Sequence, residues 1–203
     1  MAEAASTRLS PEDAVAVLRA GNHRFAGGEA VHPRQDRARR LHVASGQAPV
    51  AVIVSCIDSR VPPEIVFDCG LGDILSVRTA AHVCDEVVLG SVEFGPAVLG
   101  TPLIMVLGHR DCGAARAAVG AFERDEWPPG HIEDVVAALR PAYQAAPSHR
   151  GPETVEGLIR AHIALTVARL KAERALAAGV ASGRLGIVGA YYDLDTGAVE
   201  LIA

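Results

Sequence analysis

Two short runs in this 203-residue chain carry residue types that can hold a metal ion and work with it. The first is Cys56-Ile57-Asp58-Ser59-Arg60, and the second is His109-Arg110-Asp111-Cys112-Gly113. Two thiolates and one imidazole form a catalytic zinc set, because three protein ligands leave one tetrahedral position for water or substrate. Asp58 and Arg60 add a carboxylate and a guanidinium. Alternate residues of an extended segment point the same way, so Cys56, Asp58 and Arg60 can face one space. Asp58 is then either a fourth ligand that closes the site or a group held off the metal in the bidentate grip of Arg60. In the second case zinc binds water, lowers its pKa from about 15.7 toward roughly 7, and leaves Asp58 close enough to accept a proton. Either cysteine alone would read as a small buried residue. Their combination with His109 is what points to metal.

Distant parts of the chain must bring these runs together. Pro49 to Ser55 is a continuous apolar, β-branched stretch, the pattern of a strand covered on both faces. Similar strands are expected over Asp73 to Arg78, Pro102 to Leu107 and Leu185 to Tyr192. An Asp195-Thr196-Gly197 turn leads into a last strand, Ala198 to Ile202. Helices are expected between them: from Pro11, capped by Ser10, to Gly27-Gly28, then Gln35 to Ala44, Pro62 to Cys69, Glu86 to Leu99, Cys112 to Phe122, Ile132 to Tyr143 and Thr154 to Ala178. The fold class that follows is α/β, a mostly parallel central sheet with flanking helices and an antiparallel C-terminal edge strand. Cys56 and His109 fall at the C-terminal ends of the first and third strands, where open α/β sheets gather their ligands. Cys112 opens a helix, whose N-terminus favours the thiolate.

Composition narrows the class. Half of the residues are hydrophobic, 21% are charged and only 4% are aromatic, so the core is aliphatic. A net charge of −5 gives no basic bias toward nucleic acid. The arginine-rich stretch from Arg34 to His42 is expected to be a solvated helix face, with a phosphate patch as the alternative. No apolar run approaches the roughly 18–20 residues of a membrane span. The N-terminus, with Glu3 and Arg8, lacks a signal-peptide core, and a cytoplasmic location is expected. Four cysteines do not make a disulfide framework, and in a reducing compartment they read as metal or catalysis. No repeat or interdomain linker is visible. A single domain over 1–203 is expected, with a helical arm at about 10–46 and an α/β core at about 49–203.

Together the CxDSR and GHxxCG motifs resemble the signature of the β-class carbonic anhydrases. Further stretches are similar to that family: Gly21-Asn22-His23-Arg24-Phe25, Ser59 to Glu64, Gly72-Asp73, Val77 to Ala80, Leu89-Gly90-Ser91 and Tyr192-Asp193-Leu194 with Thr196-Gly197. The resemblance implies a zinc enzyme that interconverts carbon dioxide and bicarbonate through a zinc-bound hydroxide. It implies Cys56, His109 and Cys112 as zinc ligands, Asp58 joining them only in a closed state, and Asp58 with Arg60 as the catalytic dyad. Gln47 and the Gly113 N–H become substrate contacts, Gln47 across a subunit interface, so a homodimer or tetramer is expected. Ala81 and His82 depart from the family, standing where many members have Gly and Asn. Ile53 stands where members with an allosteric bicarbonate site carry Trp, although Arg78 and Tyr192 are present.

Two alternatives follow from the same residues. One is a zinc hydrolase of carbonyl sulfide or carbon disulfide; the other is a non-catalytic zinc- or bicarbonate-binding regulatory protein. Cys69 is expected to be a helix-end residue and Cys84 inert. His23 and His82 are proton-shuttle candidates that read more simply as surface or packed histidines.

Overall fold

The computed structural model describes residues 9–147 and 152–203. Glu3 and Arg8, used in the leader reading, lie outside them. Among the described residues five strands form one sheet, in the order β2-β1-β3-β4-β5. They are β1 (Ala51–Cys56), β2 (Ile74–Thr79), β3 (Leu103–His109), β4 (Gly186–Tyr192) and β5 (Val199–Leu201). The first four run parallel, and β5 pairs antiparallel with β4. This is the sheet expected from the sequence. Every residue of β1 and β3 is buried, as two covered faces require.

The helices are α1 (Pro11–Ala26), α2 (Arg37–Val43), α3 (Pro63–Val66), α4 (Glu86–Phe94), α5 (Gly113–Arg124), α6 (Ile132–Ala138), α7 (Arg140–Ala145), α8 (Pro152–Ala172) and α9 (Arg174–Ala181). The two-residue period of the strands divides the core into two layers. Val52, Val54, Cys56, Ile104 and Val106 face α5 and α8, against Ala115, Ala118, Leu158, Ile159 and Ile163. Ala51, Ile53, Leu103, Met105 and Leu107 face the other way, against Ala14 and Leu18 of α1 and against Val66 and Phe67. Cys56 therefore points into the layer that carries α5 and α8.

Three expected helices are broken. The Glu86–Leu99 stretch stops as an α-helix at Phe94 and closes with a wide turn over Gly95–Leu99. Pro96 lacks the N–H to continue, and Gly95 abuts β1, with Val52 only 2.3 Å from where a Cβ would stand. The Ile132–Tyr143 stretch splits at Leu139, before Pro141. The long helix that follows breaks at Glu173, whose backbone is extended (φ −63, ψ 128). The new direction buries Leu176.

The N-terminal arm is clasped to the core by the Gly21–Phe25 motif. A Cβ on Gly21 would lie 1.9 Å from the Phe67 carbonyl oxygen, so only glycine allows α1 to approach so closely. Asn22 is buried with its amide satisfied: it donates to the Val66 and Gly197 carbonyls at 3.1 and 2.8 Å and accepts from the Val199 N–H at 2.8 Å. Gly21→Ala must displace backbone, and a loss of about 3 kcal/mol is expected. Calorimetry should record it as a fall in Tm of about 6–12 °C for a chain of this size.

Arg24 donates to the buried Asp68 carboxylate at 2.7 Å, joined by the Val31 and His32 N–H groups. Burial pushes the Asp68 pKa up, but Arg24 and the two N–H groups more than offset it, and the net shift is down. A depressed carboxyl pKa stabilises the fold above the unfolded value of about 3.9 and loses that advantage as pH falls through the folded value. The Tm deficit of Asp68→Asn is therefore expected to be full near neutrality and to shrink below about pH 4. A deficit independent of pH would contradict this.

The arginine-rich stretch is only partly the solvated face expected. Arg37 and Arg40 are not buried. Arg34, however, donates its Nε to both Asp73 oxygens at 2.9 and 2.8 Å, and Arg39 reaches Asp73 and the Leu71 carbonyl at 3.2 and 2.8 Å.

Candidate metal centre

Parallel pairing of β1 with β3 carries the chain ends beyond Ser55 and Leu107 to the same edge of the sheet. Cys56 ends β1 and His109 ends β3. Beyond His109 the chain turns through Asp111, in the left-handed region at φ 55, and Cys112 precedes the first residue of α5. One potential ligand atom each from Cys56, His109 and Cys112 lies within 4.8 Å of the other two. The two sulfurs are 4.0 Å apart. All three residues are buried. His109 Nδ1 faces the Arg110 carbonyl at 2.8 Å, so it carries the proton and Nε2 keeps its lone pair. That Nε2 is buried and has no hydrogen-bond partner among the described residues. An orphaned buried acceptor beside two sulfurs is the signature of a cation site: zinc bonds of about 2.0–2.3 Å at tetrahedral angles place ligand atoms roughly 3.3–3.8 Å apart. The donor set fits zinc.

Electrostatics at the site favour anionic sulfur. The Cys112 thiol donates to Cys56, and the Asp58 and Ala81 backbone also stabilise that anion; against burial, the Cys56 pKa is held well below the ordinary thiol value. Cys112 is pushed up by the same contact and by burial, since two anions 4.0 Å apart repel without a cation between them. A divalent ion relieves that repulsion.

Asp58 lies beside the three candidate ligands, gripped by Arg60. Its Oδ1 accepts from Arg60 Nε at 3.0 Å and from the Arg60 backbone N–H at 2.9 Å, and its Oδ2 accepts from Arg60 Nη2 at 2.7 Å. Oδ2 remains 4.0 Å from His109 Nε2. Arg60 is the main cause of an Asp58 pKa near 2, so the carboxylate is ionised across the physiological range. Arg78, opposite Ser55 in the register, donates to the Cys56 and Asp58 carbonyls at 3.0 and 2.7 Å and fixes the backbone of this segment. Glu156 of α8 accepts from the Asp111 N–H at 3.1 Å and from the Tyr191 hydroxyl, bracing the second segment.

Behind the site lies a small cavity of about 10 Å³, lined by Ala81, His82, His109, Cys112 and His162 with Leu139 and apolar side chains of α5 and α8. Ala81 and His82 are consecutive left-handed residues, at φ 50 and 49. That explains chemically why Gly and Asn suit these positions: both enter this region easily, whereas for alanine it costs about 1–2 kcal/mol.

The structure thus gathers Cys56, Asp58, Arg60, His109 and Cys112. Gly113 begins α5 with open space where a Cβ would stand. Gln47 is exposed and makes no hydrogen bond among the described residues. Cys69 is buried, its pKa pushed up to about 12 mainly by desolvation, and Cys84 likewise reaches about 11; neither belongs to the metal group. His82 is packed inside, whereas His23 is exposed. Sequence reasoning missed His162 and Glu156, which lie on α8 far along the chain from either motif. Only the apolar stripe of α8 hinted that this helix covers the site.

Comparison with known proteins agrees with this geometry. The family model described as "Carbonic anhydrase" matches residues 51–199. The chain is 44% identical over 193 residues to carbonic anhydrase 2 of Mycobacterium tuberculosis, covering 95% of this chain and 93% of that protein. It is 43% identical over the same length to a carbonic anhydrase of Mycolicibacterium smegmatis, with the same coverage. Its fold is similar to tetrameric β-carbonic anhydrases of Sordaria macrospora, with a TM-score of 0.73 at 21% identity, covering 91% of this chain and 94% of that one. A thiolate–imidazole–thiolate cluster at the C-terminal edge of a parallel sheet, a matching family model and relatives of almost equal length lead to one assignment: the chain belongs to the β-carbonic anhydrase family.

Proposed function

We propose that this protein is a zinc enzyme that reversibly hydrates carbon dioxide to bicarbonate and a proton, with Cys56, His109 and Cys112 holding the metal. The observation that carries the reading is the convergence of these ligand atoms within 4.8 Å beside an Asp58 already gripped by Arg60. Bound there, zinc supplies a Lewis-acid centre that makes water nucleophilic at neutral pH. The chain's own residues do the rest. Arg60 keeps the Asp58 carboxylate from the fourth ligand position, which leaves the site open. Ionised at neutral pH, Asp58 accepts a hydrogen bond from the attacking water and orients its lone pair; with a pKa near 2 it does not retain the proton. Arg78 holds the backbone that presents Cys56 and Asp58. Arg60, half-exposed at the mouth, and the Gly113 N–H offer donors to the departing bicarbonate.

Gln47, exposed and without a hydrogen-bond partner among the described residues, suits a contact to substrate across a homodimer or tetramer interface. The tetrameric fungal structures support such an assembly. Among the described residues no helix is long and apolar enough to cross a membrane, in keeping with a cytoplasmic enzyme. Stopped-flow assays of the zinc-loaded protein test the proposal: rapid carbon dioxide hydration with negligible sulfide release from carbonyl sulfide is expected. The reverse preference would assign a sulfide-releasing hydrolase. No turnover of either, with zinc bound, would leave a regulatory binding protein.

A further inference from the structure

The sheet holds the chain as far as Arg110, whose N–H donates to the Tyr192 carbonyl at 2.9 Å. The next peptide, joining Arg110 to Asp111, lies beyond β3 and before α5, in the turn between the candidate ligands His109 and Cys112. Both of its polar groups are engaged. Its carbonyl, on Arg110, faces His109 Nδ1 at 2.8 Å. A carbonyl only accepts, so Nδ1 donates and Nε2 is left for a metal. Its N–H, on Asp111, donates to Glu156 Oε1 at 3.1 Å. A trans peptide is planar and points its C=O and N–H in opposite directions, so a grip on the N–H sets where the carbonyl can face. Asp111 holds a left-handed conformation, at φ 55, that a non-glycine residue seldom adopts unsupported. Glu156 is itself fixed, because the hydroxyl of the buried Tyr191 donates to its Oε2. Burial first, and then Glu156, raise the Tyr191 pKa above its ordinary value, so that hydroxyl keeps its proton.

We infer that Glu156 is a positioning residue for the metal centre: by holding the Asp111 N–H, it aims the Arg110 carbonyl at His109 Nδ1 and so fixes the tautomer and ring direction of that ligand. The inference rests on the zinc reading given above. A metal-binding histidine usually donates its second ring N–H to a carbonyl or a carboxylate, which orients the ring and raises its basicity. Here the carbonyl acts directly and the carboxylate acts from the far side of the same peptide. A peptide whose N–H is engaged has a more polarised carbonyl, so the two hydrogen bonds strengthen each other. Tyr191 of β4 and Glu156 of α8 thereby bear on His109 through one peptide.

The experiment starts from the zinc-loaded protein and measures zinc affinity by chelator competition. Proton NMR of the same samples reads the His109 Nδ1–H, which a strong carbonyl acceptor keeps far downfield and slow to exchange. Glu156→Leu fills a similar space and removes the acceptor. Zinc affinity should fall by about tenfold or more, and the Nδ1–H resonance should move upfield and exchange faster. Glu156→Gln keeps an oxygen for the Asp111 N–H and turns its amide to the Tyr191 oxygen. Its affinity should stay within about threefold of the parent, with the resonance close to the parental position. If Glu156→Leu does not fold, Glu156→Ala carries the same expectations. Parental affinity in the Leu or Ala variant overturns the inference. So does a loss of affinity with the Nδ1–H resonance unmoved, which is the mark of a packing role, and so does a loss in Gln as large as in Leu. A parent that binds no zinc would instead overturn the metal reading itself, so the two failures are distinguishable.

Discussion

An Asp58→Asn protein is expected to keep its zinc and lose about 10²–10⁴-fold in carbon dioxide hydration, the usual worth of a positioned acid–base group. The substitution preserves shape. It removes the charge that Arg60 grips through two nitrogens and replaces one acceptor oxygen with a donor. The attacking water loses the acceptor that orients its lone pair, and Arg60 is freed to swing. None of the three ligand residues changes, so metal content measured on the same sample should match the parent. Arg60→Ala is expected to inactivate by a different route. Without its fork, the Asp58 carboxylate, 4.0 Å from His109 Nε2, is free to become the fourth ligand. Closure of that kind should tighten zinc binding while abolishing activity. Opposite movements of affinity and turnover in Arg60→Ala, with only turnover falling in Asp58→Asn, would separate the two roles. A fall in zinc content in Asp58→Asn would show that Asp58 is a ligand in the resting protein.

The second large effect is expected from Cys112→Ala. Removing one of three ligands from a site of this type should weaken zinc binding by several kcal/mol, on the order of 10³-fold, and eliminate turnover at ordinary metal concentrations. The metal-free protein should change as well. Cys112 is the main reason that the Cys56 pKa lies below the ordinary thiol value. Without that donor the Cys56 thiol should move up toward the ordinary range, and its alkylation near pH 6 should slow sharply relative to the metal-free parent. Mass spectrometry of iodoacetamide-treated samples reads this directly. Rapid alkylation of Cys56 in the variant would mean that the thiolate owes its stability to the backbone instead.

Why so much was visible in the sequence has a physical reason. The candidate metal-binding residues sit within short runs whose spacing is set locally. Cys56, Asp58 and Arg60 share an extended segment, and His109 and Cys112 flank one strand-to-helix turn. The β-branched runs that carry them could be read as buried parallel strands, because both faces of β1 and β3 are covered. The antiparallel hairpin at Asp195–Gly197 was legible for the same local reason.

What escaped is non-local. The break at Glu173 follows no proline or glycine; it is set by where Leu176 must enter the core. Arg34 and Arg39 read as a solvated face because their shared acceptor, Asp73, is distant in sequence. His162 lies on a helix whose apolar stripe gave its packing but not the ring stack it makes on His82. Ala81 and His82 depart from the family pattern, and only the backbone angles show why glycine and asparagine suit these positions.

Zinc-edge X-ray absorption of the purified protein, with metal content determined on the same sample, tests the central claim most directly. One zinc per chain is expected, coordinated by two sulfurs at about 2.3 Å and two lighter atoms at about 2.0–2.1 Å, with one of the lighter ligands exchangeable for added azide. A sulfur count other than two, a first shell unchanged by azide together with a carboxylate signature, or a protein that takes up no zinc would contradict an open site built from Cys56, His109 and Cys112.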